Sequence, residues 1–346
     1  MAKKIKRFRV DANFPEAEKT ALANSFKNIT SKDPAVRATA SDEIVQALEL
    51  PLRKVLLSGD IIGGIFSNDD FINNPLTQYP LDLLTPGQER EFYAYVIPSH
   101  GDLPQRRVEA DYLMVPTYRI GNAIDCTLKF LRDANWPVIN RMMEVLEAGF
   151  VKKLNNDGWQ TILAAATDRN ILVNDPAAVA GQFTPRLVTL AKQFMRRNGG
   201  GNSTTLNRSK LTDLYISPEG KDDIRAWGLD LIPDAVRERI YYSDDNGTEV
   251  MRVFDVNIHD LDELGVDQEY QNYYTTTLAG SLAASDTELG IALDRQREDS
   301  FVSPMREDVQ IFEDNMLHRR GLFGMYGFTE RGFGVLDSRR CLLCSF

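Results

Sequence analysis

One short segment, His259-Asp260-Leu261-Asp262-Glu263, combines a histidine with carboxylates and so could take part in several kinds of chemistry. A histidine beside carboxylates can ligate a metal or act as a general base. Asp260 and Asp262 would share a face only in a strand, and no second histidine lies nearby in the sequence. We therefore expect a solvated turn after a strand. An intracellular metal-dependent hydrolase that uses His259 stays as an alternative.

The cysteines are the other candidates for metal or redox chemistry. Cys341 and Cys344 have CxxC spacing, but a structural zinc site needs four ligands, and the chain adds only Cys126 and a histidine. A thioredoxin-like motif opens a helix after a strand, whereas this pair lies close to the chain end. We expect both to be ordinary residues of a final strand. An odd, low cysteine count fits a reducing compartment.

Motifs for nucleotides and calcium are incomplete. The sequence contains no GxxxxGK[ST], and the glycines of the segment 321–327 lack the order of a dinucleotide-binding turn. These glycines are expected to let strands approach closely. A calcium loop with Gly247 at its sixth position would need Asp in place of Tyr242 and Glu in place of Val253, and the chain has neither. We therefore predict no catalytic, cofactor-binding or metal-binding residue, no cofactor, and no enzymatic activity.

The charge balance is acidic, with 40 Lys and Arg against 50 Asp and Glu and a net charge of −10. This argues against a nucleic-acid binder that uses its whole surface, because such a protein needs a basic face. Five basic residues at the N-terminus are the exception. They form either a solvated tail or an arm that touches a partner or nucleic acid. The arm residues are Lys3, Lys4, Lys6, Arg7 and Arg9.

The 346 residues contain no apolar run long enough to cross a bilayer, and no apolar segment of a signal peptide follows the basic start. We therefore expect a soluble intracellular protein. Helices and strands alternate without strict βαβ order, which favours an α+β fold.

Hydrophobic periodicity predicts the main elements. A helix of about 30 residues begins near Pro137, provided that Asn155-Asn156-Asp157-Gly158 does not break it. A second helix begins at Thr184-Pro185 and carries Leu187, Leu190 and Phe194 on one face. Ser217-Pro218 predicts an N-cap and first turn after a buried strand at 211–216. The segment 250–256 is predicted to be one strand.

Two segments of high β-propensity, 92–97 and 112–118, flank a polar stretch. Strands joined in this way make a long hairpin without a core of its own. An isolated two-stranded ribbon is marginal in water, so the hairpin leans on something else. Another subunit and the hairpin's own domain are both open at this point.

The order of these elements resembles the major capsid proteins of tailed bacteriophages, which share the Hong Kong 97-type fold. Residues 101–118 are similar to the extended loop of that family, and residues 141–159 to its spine helix. Residues 213–220 fit a strand of its axial domain, and residues 331–340 fit its closing peripheral strands.

The resemblance implies an α+β Hong Kong 97-like capsid fold and a domain plan. Residues 1–67 would form the N-terminal arm region and 92–120 the extended loop. Residues 68–91, 121–178 with the spine helix, and 297–346 would form the peripheral domain, and 179–296 the axial domain. The loop residues expected to contact a neighbouring subunit are His100, Gly101, Gln105, Arg106, Arg107 and Glu109.

The implied function is a structural protein that self-assembles into the icosahedral head shell of a tailed phage around double-stranded DNA. Its partners would be further copies in pentamers and hexamers, separate scaffolding, portal and cement proteins, and DNA bound without sequence specificity. It would lie in the virion after assembly in the host cytoplasm. An encapsulin-type compartment shell shares the fold and stays as an alternative.

Some members of this family join subunits by an isopeptide bond from a loop lysine. The chain has no lysine from Thr85 through Leu128. A guanidinium is a poor nucleophile because it stays protonated, so the loop arginines do not replace that amine. The sequence therefore predicts a non-covalent shell.

Overall fold

The computed structural model describes residues 64–72, 74, 76–80, 112–127, 129, 136–198, 209–227, 241–243, 249–282, 287–296, 300–314 and 317–346, together with 25, 28, 35, 36, 39, 40 and 43. Contacts divide the chain into two compact units. One consists of Met1–Thr77, Val115–Gly158 and Val302–Gly334, and the other of Gln78–Met114, Trp159–Phe301 and Val335–Phe346. Among the described helices, none is both long and apolar enough to span a membrane.

The described regular elements mix helices and strands, which confirms the α+β fold class. In chain order they are β1 (Ser67–Asp70), β2 (Gln78–Pro80), β3 (Tyr112–Met114), β4 (Tyr118–Thr127), α1 (Trp136–Asp168), β5 (Leu172–Asn174), α2 (Pro185–Asn198), β6 (Asp213–Ile216), α3 (Pro218–Ala226), β7 (Tyr241–Ser243), β8 (Glu249–Val253), β9 (Val256–Asp260), α4 (Glu269–Asn272), a π-helical turn (Tyr273–Thr277), β10 (Leu289–Leu293), β11 (Phe301–Glu313), a 3₁₀ turn (Leu317–Arg320), β12 (Leu322–Arg331), β13 (Gly334–Val335), a 3₁₀ turn (Ser338–Arg340) and β14 (Cys341–Ser345).

The long helix α1 confirms the predicted spine. It has 33 residues and passes through Asn155-Asn156-Asp157-Gly158 without a break. At 1.5 Å per residue it is about 50 Å long. Among its described side chains, the buried apolar ones form two runs with steps of three or four residues, one before and one after the Asn155–Gly158 segment. The first run is Leu146, Phe150 and Leu154, and the second is Trp159, Ile162, Leu163 and Ala166, in which Ile162 and Leu163 are adjacent.

The first unit is built on a five-stranded sheet in the order β1-β11-β12-β4, with β13 paired to β11. In this sheet β11, β12 and β4 are antiparallel neighbours. The inner face of this sheet lies against α1. Asn122 of β4 donates its side-chain amide to the carbonyl of Leu146 at 3.1 Å. A Cβ on Gly327 would lie 3.4 Å from the ring of Phe150. Gly324 and Gly327 lie in β12, whereas Gly321 precedes it with a positive φ of 71° and open space around its Cβ position, so the three glycines do not share the predicted role in close strand approach.

The second unit is built on a seven-stranded sheet in the order β5-β14-β10-β6-β9-β8-β7. One face carries a continuous apolar core that includes Leu214 of β6, Ile258 of β9 and Ala292 of β10, covered by α2 and α3. Ser217 caps α3 as predicted, because its hydroxyl accepts the N–H of Gly220 at 3.0 Å. Cys341 and Cys344 lie in the final strand, also as predicted.

Two details differ from the sequence prediction. The buried face of α2 consists of Leu187, Val188, Ala191 and Met195, while Phe194 is 48% exposed. The predicted strand 250–256 is a hairpin. Phe254 and Asp255 adopt positive φ angles of 48° and 70°, and Val253 pairs with Val256. Two successive left-handed residues turn the chain as a two-residue β-hairpin requires.

The strands that close the chain divide between the two units, a division absent from the predicted domain plan. β11 and β12 lie in the sheet of the first unit, whereas β14 pairs with β10 and β5 in the second. The assignment of the two units to peripheral and axial domains stays a prediction.

Candidate functional site

The base of the predicted extended loop is a short two-stranded ribbon. β2 pairs antiparallel with β3, with Gln78 opposite Met114 and Pro80 opposite Tyr112. Pro80 and Tyr112, which flank the segment 81–111, therefore lie opposite each other. The sequence pointed to 92–97 as the partner of β3, and that segment lies outside the described residues.

The predicted contact residues of the loop and of the arm lie in the part of the chain that is not described. The loop residues His100, Gly101, Gln105, Arg106, Arg107 and Glu109 lie outside the described residues, and so do the arm residues Lys3, Lys4, Lys6, Arg7 and Arg9. Their roles stay predictions.

The ribbon exposes large side chains on one of its faces. Tyr112 is 60% exposed and Met114 55%, and both point to this face because successive residues of a strand point to opposite faces. On the other face Tyr79 is 8% exposed, and Leu113, its partner across the ribbon, is 37% exposed. A two-stranded ribbon of this kind gains little stability in water. It therefore requires support from elsewhere.

The residues directly before and after the ribbon, Thr77 and Val115, belong to the first unit. Thr77 and Val115 exchange two hydrogen bonds, one from the Val115 N–H to the Thr77 carbonyl at 3.1 Å and one from the Thr77 hydroxyl to the Val115 carbonyl. The neighbouring backbone is packed closely, because a Cβ on Gly332 would lie 2.3 Å from the carbonyl oxygen of Pro116. The residues that flank the ribbon are thus joined to each other by hydrogen bonds.

The return strand is also joined to the spine helix. The Tyr118 hydroxyl donates to Oδ2 of Asp157 at 2.7 Å, and Nζ of Lys153 lies 2.7 Å from Oδ1 of the same carboxylate. Burial raises the pKa of Tyr118 far above its usual range, and the hydrogen bond and negative charge of Asp157 add to this shift. The phenol is therefore held as a neutral donor.

The outer face of the five-stranded sheet carries an aromatic row. Phe312 stacks on Tyr326 with ring centroids 5.6 Å apart, and Tyr326 lies edge-on to Phe328 at 5.4 Å. Arg119 extends over the Phe328 ring at 5.4 Å and pairs with Glu307 at 2.7 Å. Phe312 is 41% exposed, so this row presents apolar area to the outside.

His259 lies in β9, not in the solvated turn after a strand that the sequence predicted. Its Nε2 is 2.8 Å from Oδ1 of the buried Asp213, and its ring stacks on Tyr215 at 4.7 Å. Burial alone would raise the pKa of Asp213, but hydrogen bonds from His259 and Thr212 and the charge of Arg295 together lower it. The imidazole thus serves as partner to a structural carboxylate.

Neither cysteine of the CxxC pair is set up for reaction. Burial raises the pKa of Cys341 and of Cys344 to about 12 each, so both stay protonated thiols at neutral pH. Among the described residues, no group of three or more His, Cys, Asp or Glu is placed to hold a metal ion.

Comparison of the sequence finds no matching family model and no matching curated protein. Comparison of the structure finds extensive likeness at low sequence identity. A structure of Microbacterium phage Oxtober96 matches with a TM-score of 0.54 and 11% identity, covering 82% of this chain and 89% of that one. The capsid asymmetric unit of cyanophage Pam1 matches with a TM-score of 0.54 and 13% identity, covering 82% and 88%.

A third structure, the capsid of an empty GTA particle computed with C5 symmetry, matches with a TM-score of 0.50 and 10% identity, covering 83% of this chain and 89% of that one. At such identities the likeness establishes the fold. The chain therefore has the Hong Kong 97-type capsid fold.

Proposed function

We propose that this chain is the major shell protein of a tailed-phage head and that many copies assemble into an icosahedral capsid around double-stranded DNA. The observation that carries the proposal is the likeness, over 82% of the chain, to a phage structure and a phage capsid asymmetric unit, each with a TM-score of 0.54. The role is structural, without enzymatic activity.

The exposed ribbon β2–β3 supports self-assembly. Tyr112 and Met114 are exposed on one face of the ribbon, and hydrogen bonds between Thr77 and Val115 join its two ends. In a shell, contacts between unlike patches of successive copies close into rings. Under this proposal the extended loop, predicted at residues 92–120, reaches across to the neighbouring copy in pentamers and hexamers, and His100, Gly101, Gln105, Arg106, Arg107 and Glu109 supply its contacts.

The basic arm residues Lys3, Lys4, Lys6, Arg7 and Arg9 are assigned to a contact within the shell or to its inner surface. The rest of the chain is acidic, and an acidic lining lets packed DNA slide because it repels the phosphates. Deletion of residues 2–9 with unchanged assembly and unchanged genome retention would remove this role. Scaffolding, portal and cement proteins would be separate partners, and assembly would take place in the host cytoplasm.

The test of this function is the content of purified particles and the setting of the gene. Particles from infected cells, viewed by electron microscopy, are expected to be closed shells that hold DNA, and the gene is expected beside those for a portal and a terminase. Shells that hold a cargo enzyme, with its gene adjacent, would indicate the encapsulin-type alternative. Shells of unchanged form from His259→Ala, together with a metal analysis that finds no bound ion, would dismiss the hydrolase alternative.

A further inference from the structure

The helix α2 has an unusual composition for this acidic chain. Its sequence PRLVTLAKQFMRRN contains four basic residues and no acidic one, whereas the chain as a whole has a net charge of −10. Two of its cations have partners within the second unit. Arg186 lies 3.8 Å from Oδ1 of Asp175, and Nζ of Lys192 donates to the Phe254 carbonyl at 2.5 Å.

The other two cations stand at the C-terminal end of α2 beside an exposed aromatic ring. Arg196 and Arg197 are exposed and have no ion-pair partner in the described part of the chain. Phe194, three residues before Arg197, is 48% exposed. Cations in the last turn of a helix interact favourably with the helix dipole. That effect does not explain the exposed ring, because a phenylalanine gains nothing from the dipole. We call Phe194, Arg196 and Arg197 the α2 patch.

A surface of opposite character lies in the same unit. The segment that follows β9, residues 261–269, carries four acidic residues and no basic one. Asp262, Asp267 and Glu269 are exposed, and Val266 between them is 40% exposed. An apolar residue flanked by acids is the complement of an aromatic ring flanked by arginines. We call residues 261–269 the acidic segment.

The two surfaces are separated by the seven-stranded sheet. Leu187 and Ala191 of α2 pack in the core on the face that carries Leu214 and Ile258. Tyr215 points to the other face, where Trp159 lies 4.7 Å from it. Tyr270, which directly follows the acidic segment, lies 6.3 Å from Trp159. The α2 patch therefore lies on the outer surface of the helix that covers one face of the sheet. The acidic segment continues into Tyr270, which lies on the opposite face.

We propose that the α2 patch of one copy binds the acidic segment of the next copy. The proposal rests on the proposed function and adds the charged contact through which the second units associate. Two different, complementary patches on one chain make a heterologous contact, which repeats around a closed ring. Charge complementarity fixes the register of such a contact and speeds assembly more than it adds affinity.

Charge reversal tests this contact. The double variant Arg196→Glu/Arg197→Glu places like charges opposite each other, so we expect the yield of shells in sedimentation to fall more than about tenfold. The double variant Asp262→Lys/Glu269→Lys is expected to fail equally. The quadruple variant that combines both reversals is expected to recover assembly, because the carboxylates introduced at positions 196 and 197 meet the amines introduced at positions 262 and 269. Recovery distinguishes a contact from damage to the fold.

A matched control reverses two arginines of the same unit that have their own partners. Arg225 pairs with Asp222 and Arg252 with Asp255, and their side chains are 52% and 53% exposed. Arg225→Glu/Arg252→Glu is expected to assemble like the wild type. Normal shells from Arg196→Glu/Arg197→Glu would overturn the proposal. If those shells also failed to retain DNA, the arginines would bind phosphates instead.

The failure of this contact and the failure of the proposed function have different signatures. If the wild-type chain forms shells and the quadruple variant does not recover assembly, the contact is wrong and the function stands. If the wild-type chain forms no oligomer under any assembly condition, the function itself is wrong.

Discussion

The hydroxyl of Tyr118 donates a hydrogen bond to the carboxylate of Asp157 across 2.7 Å and so joins the first residue of β4 to the spine helix. Tyr118 stands only four residues after the exposed strand β3. Asp157 is also paired with Lys153 one helical turn earlier. These bonds therefore join β4, the strand that follows β3, to α1, the longest described helix.

Removal of this hydroxyl is expected to weaken the first unit. Tyr118→Phe should lower the free energy of unfolding by about 1 kcal/mol, a usual net value for one hydrogen bond. In an Asp157→Asn background the same change should cost less. Tyr273→Phe is the control, since that hydroxyl has no hydrogen-bond partner among the described residues. Equal urea midpoints for Tyr118→Phe and the wild type would contradict the structural role of this bond.

The difference between the wild type and Tyr118→Phe should also depend on pH. Because the pKa of Tyr118 is raised in the folded state, the neutral phenol is favoured there. The unfolded tyrosine ionises near pH 10, at about its reference pKa. The wild type should therefore keep its advantage below about pH 10 and lose it as the pH rises further. An advantage that grew with alkaline pH would have the wrong sign.

The long elements could be predicted because their hydrophobic pattern repeats over several turns, so one unfavourable segment does not hide it. In α1 the spacing of Leu146, Phe150 and Leu154 outweighed the helix-breaking tendency of Asn155-Asn156-Asp157-Gly158. Contacts of Asp157 with Tyr118 and Lys153 help to explain why the helix continues there. The cap Ser217 was predictable because an N-cap acts within one turn.

Other details could not be read from local sequence. In α2 two series of residues have helical spacing. One is Leu187, Leu190 and Phe194, and the other is Leu187, Ala191 and Met195. The second series is the one that is fully buried in the core against the sheet. The turn at Phe254-Asp255 lacks glycine, so its two positive φ angles carry no sequence signal.

The candidate site was predicted in part. The strand at Tyr112 was expected, but its partner Gln78–Pro80 was not, since three residues with a proline give no strand signal. The pairing of His259 with Asp213 joins residues far apart in the sequence, so no local pattern could show it.

The backbone near the loop base should not tolerate a side chain at Gly332. A Cβ there would lie 2.3 Å from the Pro116 carbonyl oxygen, and backbone atoms cannot move aside as a flexible side chain can. Gly332→Ala is expected to lower the free energy of unfolding by about 3 kcal/mol or to prevent folding. Gly290→Ala, whose Cβ would meet its nearest atom at 3.5 Å, is the control and should change stability little. Equal melting temperatures for the two variants would show that the close approach is absent.

Charge reversal in the extended loop should separate assembly from folding. Arg106→Glu/Arg107→Glu is expected to leave the fold of the subunit nearly intact, because exposed charges contribute little to stability. Assembly should fail, because like charges facing a partner are costly. Circular dichroism checks the fold and electron microscopy the shells. Normal shells from this variant would remove the loop from the subunit contact.

The shell is expected to be non-covalent. The loop region from Thr85 through Leu128 contains no lysine to attack a neighbouring side chain. Cys341 and Cys344 have a pKa of about 12 each and are buried, so they do not supply disulfides between subunits. Mature particles boiled in denaturing detergent with reductant should run as one band near 39 kDa. A ladder of pentamers and hexamers would refute this prediction.

Sedimentation of the purified chain tests the central claim, self-assembly into a shell, most directly. The Hong Kong 97-type fold and the exposed side chains of Tyr112 and Met114 predict closed shells or capsomer-sized oligomers, alone or with phage partner proteins. Sedimentation velocity should show particles far larger than one chain, and electron micrographs of the fast fraction should show rings or shells. A single 39 kDa monomer under all assembly conditions would contradict the account.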